Sequence, residues 1–215
     1  MNTNPNAIRI LCYGDSNTWG YIPGQNGKRF PIDKRWTGIL QKYLGDEYEI
    51  IEEGLSGRTT TIEDSDRPGI NGETYLLPCL ESHRPINLVI LMLGTNDLKQ
   101  NYNKNPQEVT ENVEKLLQLI KNYTSKNSVQ IILICPPEVD EGVAGVELDY
   151  KGGGSKSKEL GRLYSELSEK LEIEYIDLGQ IVKPSKIDGY HLDQESHEKI
   201  ANELTNKIRG LIIKY

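Results

Sequence analysis

The chemistry this chain offers begins with one serine and, far downstream, a carboxylate beside an imidazole. Ser16 lies in Gly14-Asp15-Ser16-Asn17-Thr18-Trp19-Gly20, directly after an apolar, β-branched run. A hydroxyl at the end of a strand, beside a Gly that permits a sharp turn, is placed as a nucleophile if a base can reach it. Its own N–H can face a developing oxyanion. An N-cap or phosphate-binding serine fits the same segment equally well. Asp188-Gly189-Tyr190-His191 supplies a candidate base, because a carboxylate three residues before an imidazole can hold one ring nitrogen while the other points at a hydroxyl. The chain has three histidines, His83, His191 and His197. His83 precedes Arg84-Pro85 at a helix end, where a cation is favoured, and His197 reads as packing or surface on the last helix.

Two further segments offer donors without titrating. Gly54-Leu55-Ser56-Gly57-Arg58-Thr59-Thr60 places the Gly57 N–H in a turn, and Gly94-Thr95-Asn96-Asp97 carries an Asn amide that can polarise a carbonyl at any working pH. Asp15 and Asp97 read as loop-ordering carboxylates rather than acid/base groups. Trp19 is assigned to a pocket wall with Asp15 and Arg58 beside it, although core packing is the default for Trp19 and Trp36 alike. Gly152-Gly153-Gly154-Ser155-Lys156 lacks the Gly-Lys-Ser/Thr order of a phosphate cradle and reads as a flexible loop leading into a helix. GxSxG and GxGxxG are both missing.

Alternating periods say what holds these residues. Short apolar runs at Ala7–Tyr13, Tyr48–Glu53, Leu88–Leu93, Gln130–Cys135 and Glu174–Asp177 predict strands. Between them lie helical stripes: Trp36, Ile39, Leu40, Tyr43 and Leu44; then Leu76, Leu77 and Leu80; then Val109, Val113, Leu116, Leu117 and Ile120 after Asn105-Pro106. Leu160, Leu163, Tyr164, Leu167 and Leu171 form a fourth, and Ile200, Ala201, Leu204, Ile208 and Leu211 the last. Five strand–helix units predict a three-layer α/β/α fold around a five-stranded parallel sheet, ordinarily in the order 2-1-3-4-5. Ligands of such sheets bind beyond the carboxyl ends of the strands, which is where Ser16, Gly57, Asn96 and His191 all fall. Tyr21–Asp33 and Pro136–Ser155 remain as long irregular loops, of the kind that form lids or interfaces.

Composition narrows the class. The 215 residues carry 25 Lys+Arg against 32 Asp+Glu, a net charge of −7 that argues against a general nucleic-acid binder. No apolar run approaches the roughly 20 residues of a membrane span, and the polar N-terminus shows no secretory signal. Cys12, Cys79 and Cys135 are far apart, with no CxxC and no clustered Cys/His pair, so neither disulfide nor metal site is expected and a cytoplasmic setting is the default.

Taken together and in order, Gly14-Asp15-Ser16, Gly57, Gly94-Thr95-Asn96-Asp97 and Asp188-x-x-His191 resemble the four blocks of the SGNH (GDSL-type) hydrolases, spanning Ile10 to His191. Gly14–Gly20, Arg35-Trp36-Thr37-Gly38, Ile51–Thr60, Met92–Asp97 and Gly152–Gly154 resemble more closely the bacterial aryl-esterase/acyltransferase branch. Asn17 departs from the Leu of the GDSL pattern, a change expected to bear on substrate shape rather than chemistry. The resemblance implies one catalytic domain over residues 1–215, a serine esterase of short-chain esters with Ser16, Asp188 and His191 catalytic. It also implies an oxyanion hole of Ser16, Gly57 and Asn96, with water or an alcohol as acyl acceptor, no cofactor, and a homo-oligomer built through the long loops. Carbohydrate deacetylation is the alternative within that chemistry. A flavodoxin-like ligand-binding or electron-transfer module is the alternative outside it.

Overall fold

The computed structural model describes residues 2–124 and 129–211. Its strands are β1 (Ile8–Gly14), β2 (Tyr48–Gly54), β3 (Leu88–Met92), β4 (Gln130–Cys135) and β5 (Glu174–Asp177). Among the described residues they form one sheet in the order β2-β1-β3-β4-β5, parallel throughout. The helices are α1 (Ser16–Trp19), α2 (Trp36–Leu44), α3 (Gly72–His83), α4 (Pro106–Thr124), α5 (Val146–Asp149), α6 (Gly153–Leu171) and α7 (Gln194–Gly210). No helix among the described residues is long and apolar enough to cross a membrane.

The sheet is covered on both faces, which is why its central strands are apolar without alternation. Leu11, Tyr13, Val89, Leu91, Leu133 and Cys135 point into one core with α3, α4 and α6. The alternate residues Ile10, Cys12, Ile90, Met92, Ile132 and Ile134 point into a second core with α2 and α7. The register sets the carboxyl ends level: Gly14 lies opposite both Gly54 and Met92, so the loops leaving β1, β2 and β3 emerge side by side.

Helix starts follow local chemistry. At α4, Asn105 Oδ1 accepts from Glu108 N at 2.9 Å while Glu108 Oε2 accepts from Asn105 N at 3.0 Å, a reciprocal capping box ahead of Pro106. Asp193 caps α7 by accepting from Ser196 N at 2.8 Å.

Three expectations are corrected. Leu77 is 41% exposed and does not share the buried stripe of α3. The inward face is Leu76, Cys79 and Leu80, a spacing that leaves Leu77 about 100° away. Gly153 and Gly154 are the first two residues of α6, with Gly152 in the left-handed region as its cap, rather than part of a loop. Pro136–Ser155 is not irregular throughout: α5 lies within it, and Val139, Val143, Val146 and Tyr150 are buried in the core of the α3 face.

Candidate active site

The loop after β1 turns at once into the four residues of α1. Asp15 caps that turn by accepting from Asn17 N at 2.9 Å, which sets Ser16 at the first helical position. The loop after β5 approaches from the other side. His191 Nδ1 lies 2.8 Å from Asp188 Oδ2, and His191 Nε2 lies 3.0 Å from Ser16 Oγ. The carboxylate accepts, so Nδ1 carries the proton and Nε2 is free to accept from the Ser16 hydroxyl. Asp188 also accepts from the His191 N–H at 3.1 Å. Partial burial works to raise the Asp188 carboxyl, but its hydrogen bonds from the His191 ring and from the His191 and Tyr190 N–H groups help to hold it below the usual range.

The two loops are tied together by a residue that sequence reasoning assigned elsewhere. Asn17 is only 2% exposed. Its Nδ2 donates to Tyr190 O at 3.1 Å and its Oδ1 accepts from Leu192 N at 3.0 Å, so it grips the backbone on both sides of His191. The side chain that stands where the GDSL pattern has Leu therefore bears on where the imidazole sits. Tyr21 stacks on the His191 ring with centroids 4.2 Å apart, and Tyr190 lies against it at 4.5 Å. Neither tyrosine stands out in the sequence, where twelve are spread along the chain.

Asn96 brings in the remaining loops. Its Nδ2 donates to Arg58 O at 3.1 Å and lies 3.4 Å from Asp15 Oδ2, which places the amide between the segments following β1 and β2. Gly57, beside Arg58, adopts φ +82, a conformation in which a Cβ would be strained and would also meet the Arg67 guanidinium. With Arg67, Lys99, Asp64 and Asp149 it lines a cavity of about 300 Å³. Asp97 is fully buried and accepts from Thr60 N at 3.1 Å as well as from the Thr60 hydroxyl, tying the loop after β3 to the loop after β2. Burial raises Asp97 to about 7 and Asp15 to about 6.

Arg58, expected beside a pocket wall, is instead almost fully buried. Its side chain lies 4.0 Å over the Tyr13 ring and donates through Nη1 to Gly14 O at 2.8 Å and to Glu53 O. The guanidinium fastens the end of β1 to the end of β2. Trp19 is half-buried, with the Arg29 guanidinium 5.0 Å over its ring and Tyr21 beside it. A hydroxyl, an imidazole, a carboxylate and an Asn amide thus converge at one edge of the sheet. That arrangement can attack an acyl carbon and stabilise the charge that develops on its oxygen.

Comparison with known proteins points the same way. The model of the GDSL-like lipase/acylhydrolase family matches residues 12–199. A solved aryl esterase from M. smegmatis is 35% identical with a TM-score of 0.90, covering 96% of this chain and 100% of its own. Est24, a carbohydrate acetylesterase from Sinorhizobium meliloti, is 36% identical with a TM-score of 0.88, covering 95% of this chain and 100% of its own. A member of the lipolytic G-D-S-L family from Veillonella parvula, 17% identical with a TM-score of 0.69 over 95% of this chain and 100% of its own, shares the fold. Among curated proteins none matches.

Proposed function

The chain belongs to the GDSL-like lipase/acylhydrolase family, and on that premise we propose that it hydrolyses short-chain aryl or alkyl esters through an acyl group carried on Ser16. The observation that carries this reading is the continuous chain from Asp188 through His191 to Ser16, at 2.8 and 3.0 Å. Ser16 Oγ attacks the ester carbonyl as its proton passes to His191 Nε2. Asp188 keeps the ring in the productive tautomer and stabilises the imidazolium. The tetrahedral oxyanion is held by the N–H groups of Ser16 and Gly57 and by the Asn96 amide. His191 returns the proton to the leaving alcohol as the C–O bond breaks. Water, deprotonated by His191, then attacks the acyl carbon and frees Ser16. An alcohol or peroxide in place of water makes the same step an acyl transfer or perhydrolysis.

A second reading, removal of acetyl groups from carbohydrate, is favoured by the charged lining of the cavity at Gly57, where Arg67, Lys99, Asp64 and Asp149 suit a hydroxylated alcohol. An electron-transfer module would give the Asp188–His191–Ser16 chain no work. The deciding experiment is hydrolysis of p-nitrophenyl acetate by the wild-type protein beside Ser16→Ala. Turnover in the first and none in a folded second is expected. Equal rates in both overturn the assignment of Ser16. Acetylated xylan, offered in parallel with the aryl ester, separates the two alcohol classes.

A further inference from the structure

Away from the Ser16 cleft, one group of side chains has the composition of a cation site. Cys79 and His83 lie four residues apart and share a face of α3, a pair that the expectation of no metal site passes over. Glu53, the penultimate residue of β2, meets them from the sheet, with Oε1 2.7 Å from His83 Nε2. One donor atom from each of the three residues falls within 4.8 Å of the others. Cys79 is fully buried, whereas the side chains of Glu53 and His83 are 20% and 29% exposed. The group therefore has a dry wall and an opening to solvent. Tyr75 flanks it and reaches both Glu53 and Cys79.

Tetrahedral zinc holds sulfur at about 2.3 Å and nitrogen or oxygen at about 2.0–2.2 Å, so the donors around it stand roughly 3.3–3.7 Å apart. The 2.7 Å contact between Glu53 and His83 has to open by about an ångström at most, and the sulfur to close by no more than a similar amount. We propose that Glu53, Cys79 and His83 form a binding site for a divalent cation of the zinc class, with water from the open side as fourth ligand. A thiolate, an imidazole and a carboxylate select such an ion over magnesium or calcium, which take all-oxygen sets.

The proton balance is simple. The Cys79 thiol proton leaves to solvent, the proton on His83 Nε2 moves to Nδ1, and Glu53 enters ionised; no electron is transferred. The two positive charges of the ion match the thiolate and carboxylate. The Arg58 guanidinium also acts on Cys79 and opposes the ion; its bonds to the Gly14 and Glu53 carbonyls fix its position without cancelling its charge. Because Glu53 directly precedes Gly54 and the turn that carries Gly57, the ion would fasten α3 to the loop on the oxyanion side of the cleft.

The test is titration of the metal-stripped full chain with Co²⁺. One ion per chain is expected, with a thiolate-to-cobalt charge-transfer band that Zn²⁺ displaces, one proton released, and a higher Tm for the zinc-loaded protein. Cys79→Ser should abolish the band, and His83→Gln should weaken binding roughly tenfold or more. Should Cys79→Ser not fold, His83→Gln at the open rim and alkylation protection of Cys79 by Zn²⁺ carry the test. Failure to take up either ion at protein-equivalent concentration overturns the site, as does binding unchanged by both substitutions. None of these readouts depends on ester hydrolysis.

Discussion

Two buried histidines six positions apart in the chain do opposite things. His191, on the loop beyond β5, has a carboxylate at one nitrogen and a hydroxyl at the other. His197, on α7, is sealed between helices: Trp36 N donates to its Nδ1 at 3.3 Å, Phe30 meets it edge-on at 5.3 Å, and Nε2 has no hydrogen-bond partner among the described residues. Burial pulls its pKa down to about 4, with Asp193 opposing and Arg35 assisting. An imidazole becomes a base through the two groups that flank it, and burial without them leaves a neutral acceptor. At the carboxyl edge Asn17, Asn96 and Asp97 each hold a group on another loop, whereas the Thr18, Ser56 and Thr95 hydroxyls have no hydrogen-bond partner among the described residues.

The strongest way to break that contrast is to remove each ring in turn. His191→Ala and Ser16→Ala should each lower kcat for p-nitrophenyl acetate by about 10⁴–10⁶. His197→Asn should stay within roughly threefold of wild type, because its ring touches no reacting atom. Comparable losses at both positions would refute the division of roles. Asp188→Ala should cost less, about 10³–10⁴ in kcat with near-ultraviolet circular dichroism unchanged, since Ser16 and His191 keep their places but the tautomer is no longer fixed.

Smaller effects sharpen the picture of what positions the ring. Asn96→Ala should lower kcat by about 10²–10³ with little change in KM, as one oxyanion donor is lost. Unchanged turnover would remove Asn96 from the mechanism. Asn17→Leu, which restores the residue of the GDSL pattern but frees Tyr190 O and Leu192 N, should cost about 10–10² in kcat by loosening His191. If chain-length preference changes instead while kcat holds, Asn17 bears on substrate shape after all.

These residues also mark what the sequence could and could not disclose. The strands were legible because a doubly covered parallel strand must be apolar on both faces, and Leu88–Met92 is. Their order is the one that five strand–helix units ordinarily take, and parallel strands then place Ser16, Gly57, Asn96 and His191 at one edge. The contacts of Asn17 were not legible, since its partners lie 173 and 175 residues away and no local pattern encodes them. Arg58 reads as a cleft cation because Arg is ordinarily exposed; only the fold shows its charge spent on two strand ends. Leu77 was misplaced for a nearer reason. Either of two adjacent leucines could have faced inward, and the choice is made by Cys79 and Leu80 packing on the sheet.

The finest test of the contrast lies in stability rather than rate. His197 titrates near 4 in the folded chain and near 6.5 when unfolded, so its contribution is complete above about pH 6.5 and is lost as pH falls through 4. Asp15 and Asp97 act in the opposite sense. Folding raises them from 3.8 to about 6 and about 7, so acidification across the same window relieves the cost of burying their charge. In His197→Asn the side-chain oxygen can still accept from Trp36 N, but the proton-linked loss disappears. The variant should therefore be less stable than wild type at pH 7, for want of the ring's packing, and the gap should narrow on going to pH 5. One linked proton corresponds to at most about 1.4 kcal/mol per pH unit. Urea unfolding of both proteins at the two pH values measures this directly. A gap independent of pH would mean that His197 takes up its proton in the folded state as readily as in the unfolded one, and would erase the distinction between the two histidines.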